Sequence, residues 1–187
     1  MTKGIIISGS PAAGKTTLAG ESAKLLEYNH IDLDDYYHRQ DARIPFTEFL
    51  SRDEIRERVM NEIAVHPHFV MSGTVGSILA DLVNPLFDLA VLLLVPVEIR
   101  LERARARELA RFGKRILQGG DMHEGYIRHL KSIETYDTGE PPAVCLKRHE
   151  LWAAELLCPV FRLDGRKPIS ENAVWIAEQF MAMQSDK

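Results

Sequence analysis

Short apolar runs alternate along the chain with stretches whose apolar residues recur every three or four positions. The runs at 4–8, 29–33, 68–71, 89–95 and 160–163 predict five strands. Several of them are apolar at consecutive rather than alternate positions, the pattern of strands buried on both faces of a parallel sheet. Between them lie helical patterns with readable starts. Ser51 followed by Glu54 forms a capping box, after which Ile55, Val59 and Ile63 recur every four residues. Ser170 precedes a periodic stretch containing Val174, Ala177 and Phe180 or Met181, which predicts a last helix packed on the sheet. The order of elements predicts an α/β fold, with crossover helices on both faces of a five-stranded parallel sheet and the site at the carboxyl ends of the strands.

Composition narrows the class. A chain of 187 residues is expected to form one domain, and 45% hydrophobic with 27% charged residues excludes wholesale disorder and fibrous structure. The 23 basic and 27 acidic residues leave a formal charge of −4, which argues against broad capture of nucleic acid or acidic lipid. The longest apolar run, 89–97, includes Pro96 and is about half of what a membrane span requires. The start lacks the greasy core of a secretory signal, so a cytoplasmic protein is expected. Cys145 and Cys158 are too sparse for a zinc site or a disulfide framework and are expected to be reduced, buried thiols. His66-Pro67-His68 lacks the further ligands of a metal site. Trp152 and Trp175 are expected in the core.

The strongest chemical signal is Gly9-Ser10-Pro11-Ala12-Ala13-Gly14-Lys15-Thr16, which fits G-x-x-x-x-G-K-[ST] between an apolar strand and a helix-forming run. Glycines let the backbone wrap phosphates closely, successive amide hydrogens face the anion, and the following helix turns its positive end toward it. Lys15 would neutralise the outer phosphates and Thr16 would ligate magnesium, with Thr17 completing the ATP-binding stretch.

On this loop, the acidic cluster His30-Ile31-Asp32-Leu33-Asp34-Asp35-Tyr36-Tyr37, the segment Met71-Ser72-Gly73-Thr74 and an arginine-rich helix after the fourth strand, the chain resembles the small-molecule P-loop kinases of the nucleoside monophosphate kinase-like superfamily. That superfamily includes adenylate, shikimate, gluconate and nucleoside kinases. The resemblance implies a three-layer P-loop kinase fold, with residues 1–187 as one domain, an acceptor-binding region at about 34–66 and a lid at about 107–140. It also implies ATP and Mg2+ as cofactors and a small-molecule phosphoryl acceptor as partner. In these kinases the end of the second strand carries acids facing magnesium and acceptor. A shikimate-kinase-like D-x-D falls on Asp32 and Asp34, whereas a nucleoside-kinase-like pattern falls on residues 34–37. Asp34 is common to both, and a carboxylate within reach of an acceptor hydroxyl can position it and take its proton. Asp32 then suits the metal. Asp34, Asp35, Arg43 and Gly73 are the acceptor-binding candidates.

The segment after the fourth strand carries Arg100, Arg103, Arg105, Arg107, Arg111, Lys114 and Arg115. Arg103, Arg107 and Arg111 recur every four residues on one helical face, and Arg100 and Arg105 are expected to point elsewhere. In the kinases it resembles, a closing lid delivers arginines to the transferring phosphoryl group, so Arg107 and Arg111 join Lys15 and Asp34 as catalytic candidates. Asp164-Gly165-Arg166-Lys167-Pro168 follows the fifth strand, where related kinases hold the nucleotide base, and Lys167 joins the ATP-binding candidates. Met71-Ser72-Gly73 lacks the aspartate that adenylate kinases place there, and no acidic Walker B strand is present. The tail at 133–139 fits no familiar subfamily. Three readings follow: a metabolite hydroxyl kinase, a nucleoside monophosphate kinase using Arg39, Arg43 and Arg56, and a noncatalytic ATP-binding switch. The first best explains Asp34 together with the lid arginines.

Overall fold

A computed structural model describes residues 2–45 and 47–185. Five strands, β1 (Lys3–Gly9), β2 (Asn29–Asp32), β3 (His68–Ser72), β4 (Phe87–Leu94) and β5 (Val160–Asp164), form one sheet in the order β2-β3-β1-β4-β5, every neighbouring pair parallel. Each contains or closely overlaps its predicted apolar run. Ile5, Ile6, Ile7, Val91 and Leu92 are buried, because the central strands β1 and β4 are covered on both sides. One core layer brings Ile5, Ile7, Val91 and Leu93 against α1 (Lys15–Leu26) and α8 (Ile169–Ser185). The other packs Ile6, Met71 and Ala90 against Ile55, Val59 and Ile63 of α3 (Arg52–Val65).

The capping box of α3 forms as the sequence predicts. The Ser51 hydroxyl accepts from the Glu54 N–H, and the Glu54 carboxylate accepts from the Ser51 N–H at 2.9 Å. The last helix differs in phase. Ala173, Ile176, Ala177 and Phe180 are its buried face, while Val174 and Met181 are exposed. The Pro168 carbonyl accepts from the N–H groups of Glu171 and Asn172 at the helix start, and the inward stripe begins at Asn172 and Ala173.

Two short helices, α2 (Leu33–Tyr37) and α4 (Ala80–Val83), flank the carboxyl ends of β2 and β3. Beyond β4, α5 (Val97–Phe112) leads through a 3-10 turn to α6 (His123–Glu134), and α7 (Leu146–Ala154) returns the chain to β5. Trp152 packs in the second core layer with its indole N–H on the Asn84 side-chain oxygen, and Trp175 meets Phe161 edge to face. Cys145 is buried and Cys158 half-buried, both as free thiols. Among the described residues no helix is long and apolar enough to cross a membrane.

Candidate active site

The loop between β1 and α1 is built for close approach to an anion. Gly9 has φ +140°, and a Cβ there would stand 2.5 Å from the Leu93 carbonyl oxygen of β4. Gly14 has φ +100° as the N-cap of α1, and its side of the helix carries no side-chain cap. The first-turn N–H groups are thereby left directed at the loop's concavity. Lys15 folds over the loop, its Nζ donating to the Ser10 carbonyl at 2.8 Å. Desolvation lowers its pKa to about 8, against the opposing pull of Asp34 and Asp32. A cation already stripped of water is ready to exchange that carbonyl for phosphate oxygens.

Asp32 ends β2 and caps α2, one oxygen accepting from the Asp34 N–H at 3.2 Å. Its other oxygen accepts from the Thr16 hydroxyl at 2.9 Å. Two hard oxygen donors on neighbouring elements thus share one corner of the phosphate loop, which suits Mg2+ held by few protein groups and completed by phosphate and water. Among the described residues no group of three or more His, Cys, Asp or Glu side chains is set to hold a metal ion. When bound, Mg2+ would screen the charge of the phosphates.

Asp34 stands two residues beyond Asp32, exposed in the first turn of α2. Desolvation and then the neighbouring Asp32 carboxylate raise its pKa, with Lys15 and His38 opposing. The direction moves it toward the range in which a carboxylate takes a proton more readily. Its helix is held by Gly73 and Tyr37. Gly73 has φ +128° and donates to the Ile7 carbonyl, and a Cβ there would come within 2.9 Å of the Leu33 Cβ. The Tyr37 hydroxyl donates to the Thr74 carbonyl and accepts from the Gly76 N–H.

The arginines divide. Arg107 pairs with Glu108 and lies close enough to Lys15 to help lower its pKa. Arg103 reaches the back of the loop, donating to the carbonyls of Ala13 and Gly165 at 3.1 Å each. Arg100 does not point away. It is fully buried, donating to the Ser10 hydroxyl at 2.5 Å, to the Ile133 carbonyl and to Asp137, with its guanidinium over the Tyr136 ring. Its place follows from helical geometry, since a residue three positions before Arg103 shares that residue's face. The segment at 133–139 therefore has a structural task, which is to satisfy a buried cation that braces Ser10.

Other candidates fall outside this cluster. Arg111 lies over the Phe112 ring. Lys167 pairs with Glu171, while Asp164 and Arg166 pair with each other and line a cavity of about 560 Å3 with Ser10, Pro96 and Asp137. Arg43 contributes its carbonyl to Arg115, and Asp35 faces a second cavity with Arg58 and Glu62 beside β2. Arg56 is held by Asp81 and the Ile78 carbonyl. Thr17 is exposed.

His149 was not singled out by its sequence context. It is buried, with Nδ1 2.6 Å from the Tyr136 hydroxyl and Nε2 3.1 Å from the Thr74 hydroxyl. Desolvation lowers its pKa to about 4, helped by Lys15 and Arg148. The unfolded chain therefore binds a proton that the folded chain refuses between pH 6.5 and about 4, and stability should fall as pH drops through that window. The full loss is about 3 kcal/mol. Urea midpoints measured from pH 7 to 4 should decline in the wild type and be flatter in His149→Asn. An equal slope in both would reject the assignment.

The parallel sheet, the phosphate loop entering α1, the Thr16 and Asp32 pair and the arginine-bearing α5 give the chain the P-loop kinase fold of the nucleoside monophosphate kinase-like superfamily. The chain belongs to the same family as the uncharacterized protein YqaC of Bacillus subtilis, to which it is 32% identical over 172 residues, covering 92% of this chain and 94% of that protein. It is also 25% identical over 144 residues to a cytidylate kinase of Pyrobaculum islandicum, covering 73% and 77% of the two chains. Among solved structures it resembles a shikimate kinase from Bacteroides thetaiotaomicron, with a TM-score of 0.57 and 19% identity over 97% of this chain and 99% of that one. A shikimate kinase from Acinetobacter baumannii in complex with shikimate gives a TM-score of 0.53 and 19% identity, over 96% and 93% of the chains. A sugar kinase from Janibacter sp. gives 0.51 and 14%, over 97% and 95%. These structural likenesses speak for the fold. No protein-family model matches the chain.

Proposed function

We propose that the protein transfers the γ-phosphoryl group of ATP to a hydroxyl of a small polar metabolite, a nucleoside, a sugar-like molecule or a hydroxy acid. The observation that carries this reading is Asp34, a carboxylate of raised pKa within electrostatic reach of Lys15 and two residues from Asp32 of the Thr16 and Asp32 pair. A hydroxyl gains from a carboxylate that can orient it and accept its proton, whereas an acceptor phosphate would be repelled.

In this reading residues 9–17 hold the triphosphate, and Thr16 with Asp32 holds Mg2+. Asp34 positions and deprotonates the acceptor within the region 34–66. Arg107, in a lid spanning 107–140, meets the transferring group, where charge that develops only in the transition state is stabilised by a preorganised cation. The pairing of Asp164 with Arg166 at the cavity mouth leaves backbone groups to meet the base. Free cysteines and dependence on ATP support a cytoplasmic setting.

Similarity to a cytidylate kinase supports a second reading, a nucleoside monophosphate acceptor. The geometry favours the first, because Arg56, a candidate for an acceptor phosphate, is already held by Asp81 and the Ile78 carbonyl. The deciding experiment is ATP consumption across a panel of nucleosides, sugars, hydroxy acids and nucleoside monophosphates. Turnover with a hydroxyl acceptor is expected. Preference for a monophosphate would install the second reading, and MgATP binding without transfer to any class would leave a nucleotide switch.

A further inference from the structure

Arg107 is gripped from two directions. Its Nε and Nη2 contact the Glu108 carboxylate at 2.9 and 2.8 Å, and its Nη2 lies 3.3 Å from Nε2 of His129 on α6. A guanidinium has only donors, so the contact is a hydrogen bond only if His129 Nε2 carries a lone pair and the ring proton is on Nδ1. The two grips differ in their effect on charge. Glu108 neutralises Arg107 as it holds it, whereas an uncharged imidazole directs the guanidinium and leaves its charge intact.

We propose that His129 is a positioning residue for phosphoryl transfer: as a neutral hydrogen-bond acceptor it turns Arg107 toward the phosphate loop. The groups facing it from the packed elements are Arg107 and Glu108 of α5, Asp34 of α2 and Lys15 at the start of α1. Its electrostatic neighbours therefore include Lys15 and Asp34 as well as the two α5 residues. The half-buried ring is desolvated, which lowers its pKa and keeps it neutral in spite of Glu108. Because His129 and Arg107 belong to α6 and α5, the bond also ties the orientation of Arg107 to the packing of the two lid helices. A lid that shifts α6 relative to α5 would re-aim the cation.

The inference rests on Arg107 acting in transfer, and the test separates the two. Single-turnover hydrolysis of MgATP, with water as the acceptor, is measured for the wild type, Arg107→Ala, His129→Ala, His129→Gln and the double alanine variant. His129→Ala should lower the rate about 10-fold with ATP affinity within about threefold, the kcat-side signature of a transition-state contact. His129→Gln, whose amide oxygen can accept from Arg107, should recover most of the loss. In the Arg107→Ala background, His129→Ala should change nothing further. Wild-type rates in Arg107→Ala would remove the role of Arg107 and this inference with it. A slow Arg107→Ala beside a fully active His129→Ala, or losses that multiply in the double variant, would overturn the inference alone. A measurement independent of turnover is the nitrogen spectrum of the ring: His129 should show a proton on Nδ1 and a lone pair on Nε2, and the opposite tautomer would refute the proposal.

Discussion

Asp34→Asn is expected to bind MgATP as the wild type does and to lose roughly 10²-fold or more of phosphoryl transfer, the usual scale for removing a general base. The substitution keeps the shape and leaves the α2 cap untouched, since Asp32 rather than Asp34 supplies the capping oxygen. The pH profile gives the sign. A base works ionised, so wild-type turnover should rise with pH through the Asp34 pKa, which desolvation and Asp32 place above its ordinary value. That acid limb should vanish in Asp34→Asn. Full transfer activity in the variant would falsify the assignment, and loss of transfer in Asp35→Asn with Asp34→Asn unaffected would move the base to the neighbouring carboxylate.

The second large effect is expected at the phosphate loop. Lys15→Ala combined with Thr16→Ala should weaken MgATP binding by about 10²-fold or more, since each charged or metal-directed contact removed is worth about 1.5–3 kcal/mol. The Lys15 ammonium donates to the Ser10 carbonyl and the Thr16 hydroxyl to Asp32, neither of them part of the buried core, so the folded scaffold should survive the change. Calorimetric titration on a variant with an unchanged thermal transition reads the result. Equal affinity for MgATP would mean that the nucleotide binds elsewhere.

What the sequence could show depended on how local the cause was. The strands were readable because the middles of β1 and β4 are buried on both faces and so are apolar at consecutive positions, Ile5 to Ile7 and Leu89 to Leu93. The α3 start was readable because Ser51 and Glu54 are three residues apart. Thr16 and Asp32 were legible one at a time, from the phosphate-loop pattern and the acidic cluster, and the fold brings them within hydrogen-bond distance although β3 separates β1 from β2. The α8 face was misread because this helix is apolar on more than one side, so Val174 and Met181 compete with the buried stripe Ala173, Ile176, Ala177 and Phe180. Arg100 was misread because an arginine on an arginine-rich helix looks like a solvated charge. Its burial depends on Asp137, Ile133 and Ser10, which no local pattern joins to it. His129 and His149 were missed for the same reason, since their partners Arg107 and Thr74 lie far off in sequence.

The strand order has a consequence for how such a protein can change its trade. β1, which delivers the phosphate loop, is the middle strand; β2 and β3, with Asp32, Asp34 and Gly73, lie to one side of it, and β4 and β5, with Arg103 and the Gly165 turn, lie to the other. Arg103 donates to a main-chain carbonyl of each loop, and Gly165 leaves no room for a Cβ, which would stand 2.4 Å from Val95 Cγ2, so the two turns are joined by backbone contacts in close packing. On the proposed assignment, descent with modification can rewrite the flank that would choose the acceptor while the flank that would hold the nucleotide is kept, so that relatives with one fuel differ in what they phosphorylate.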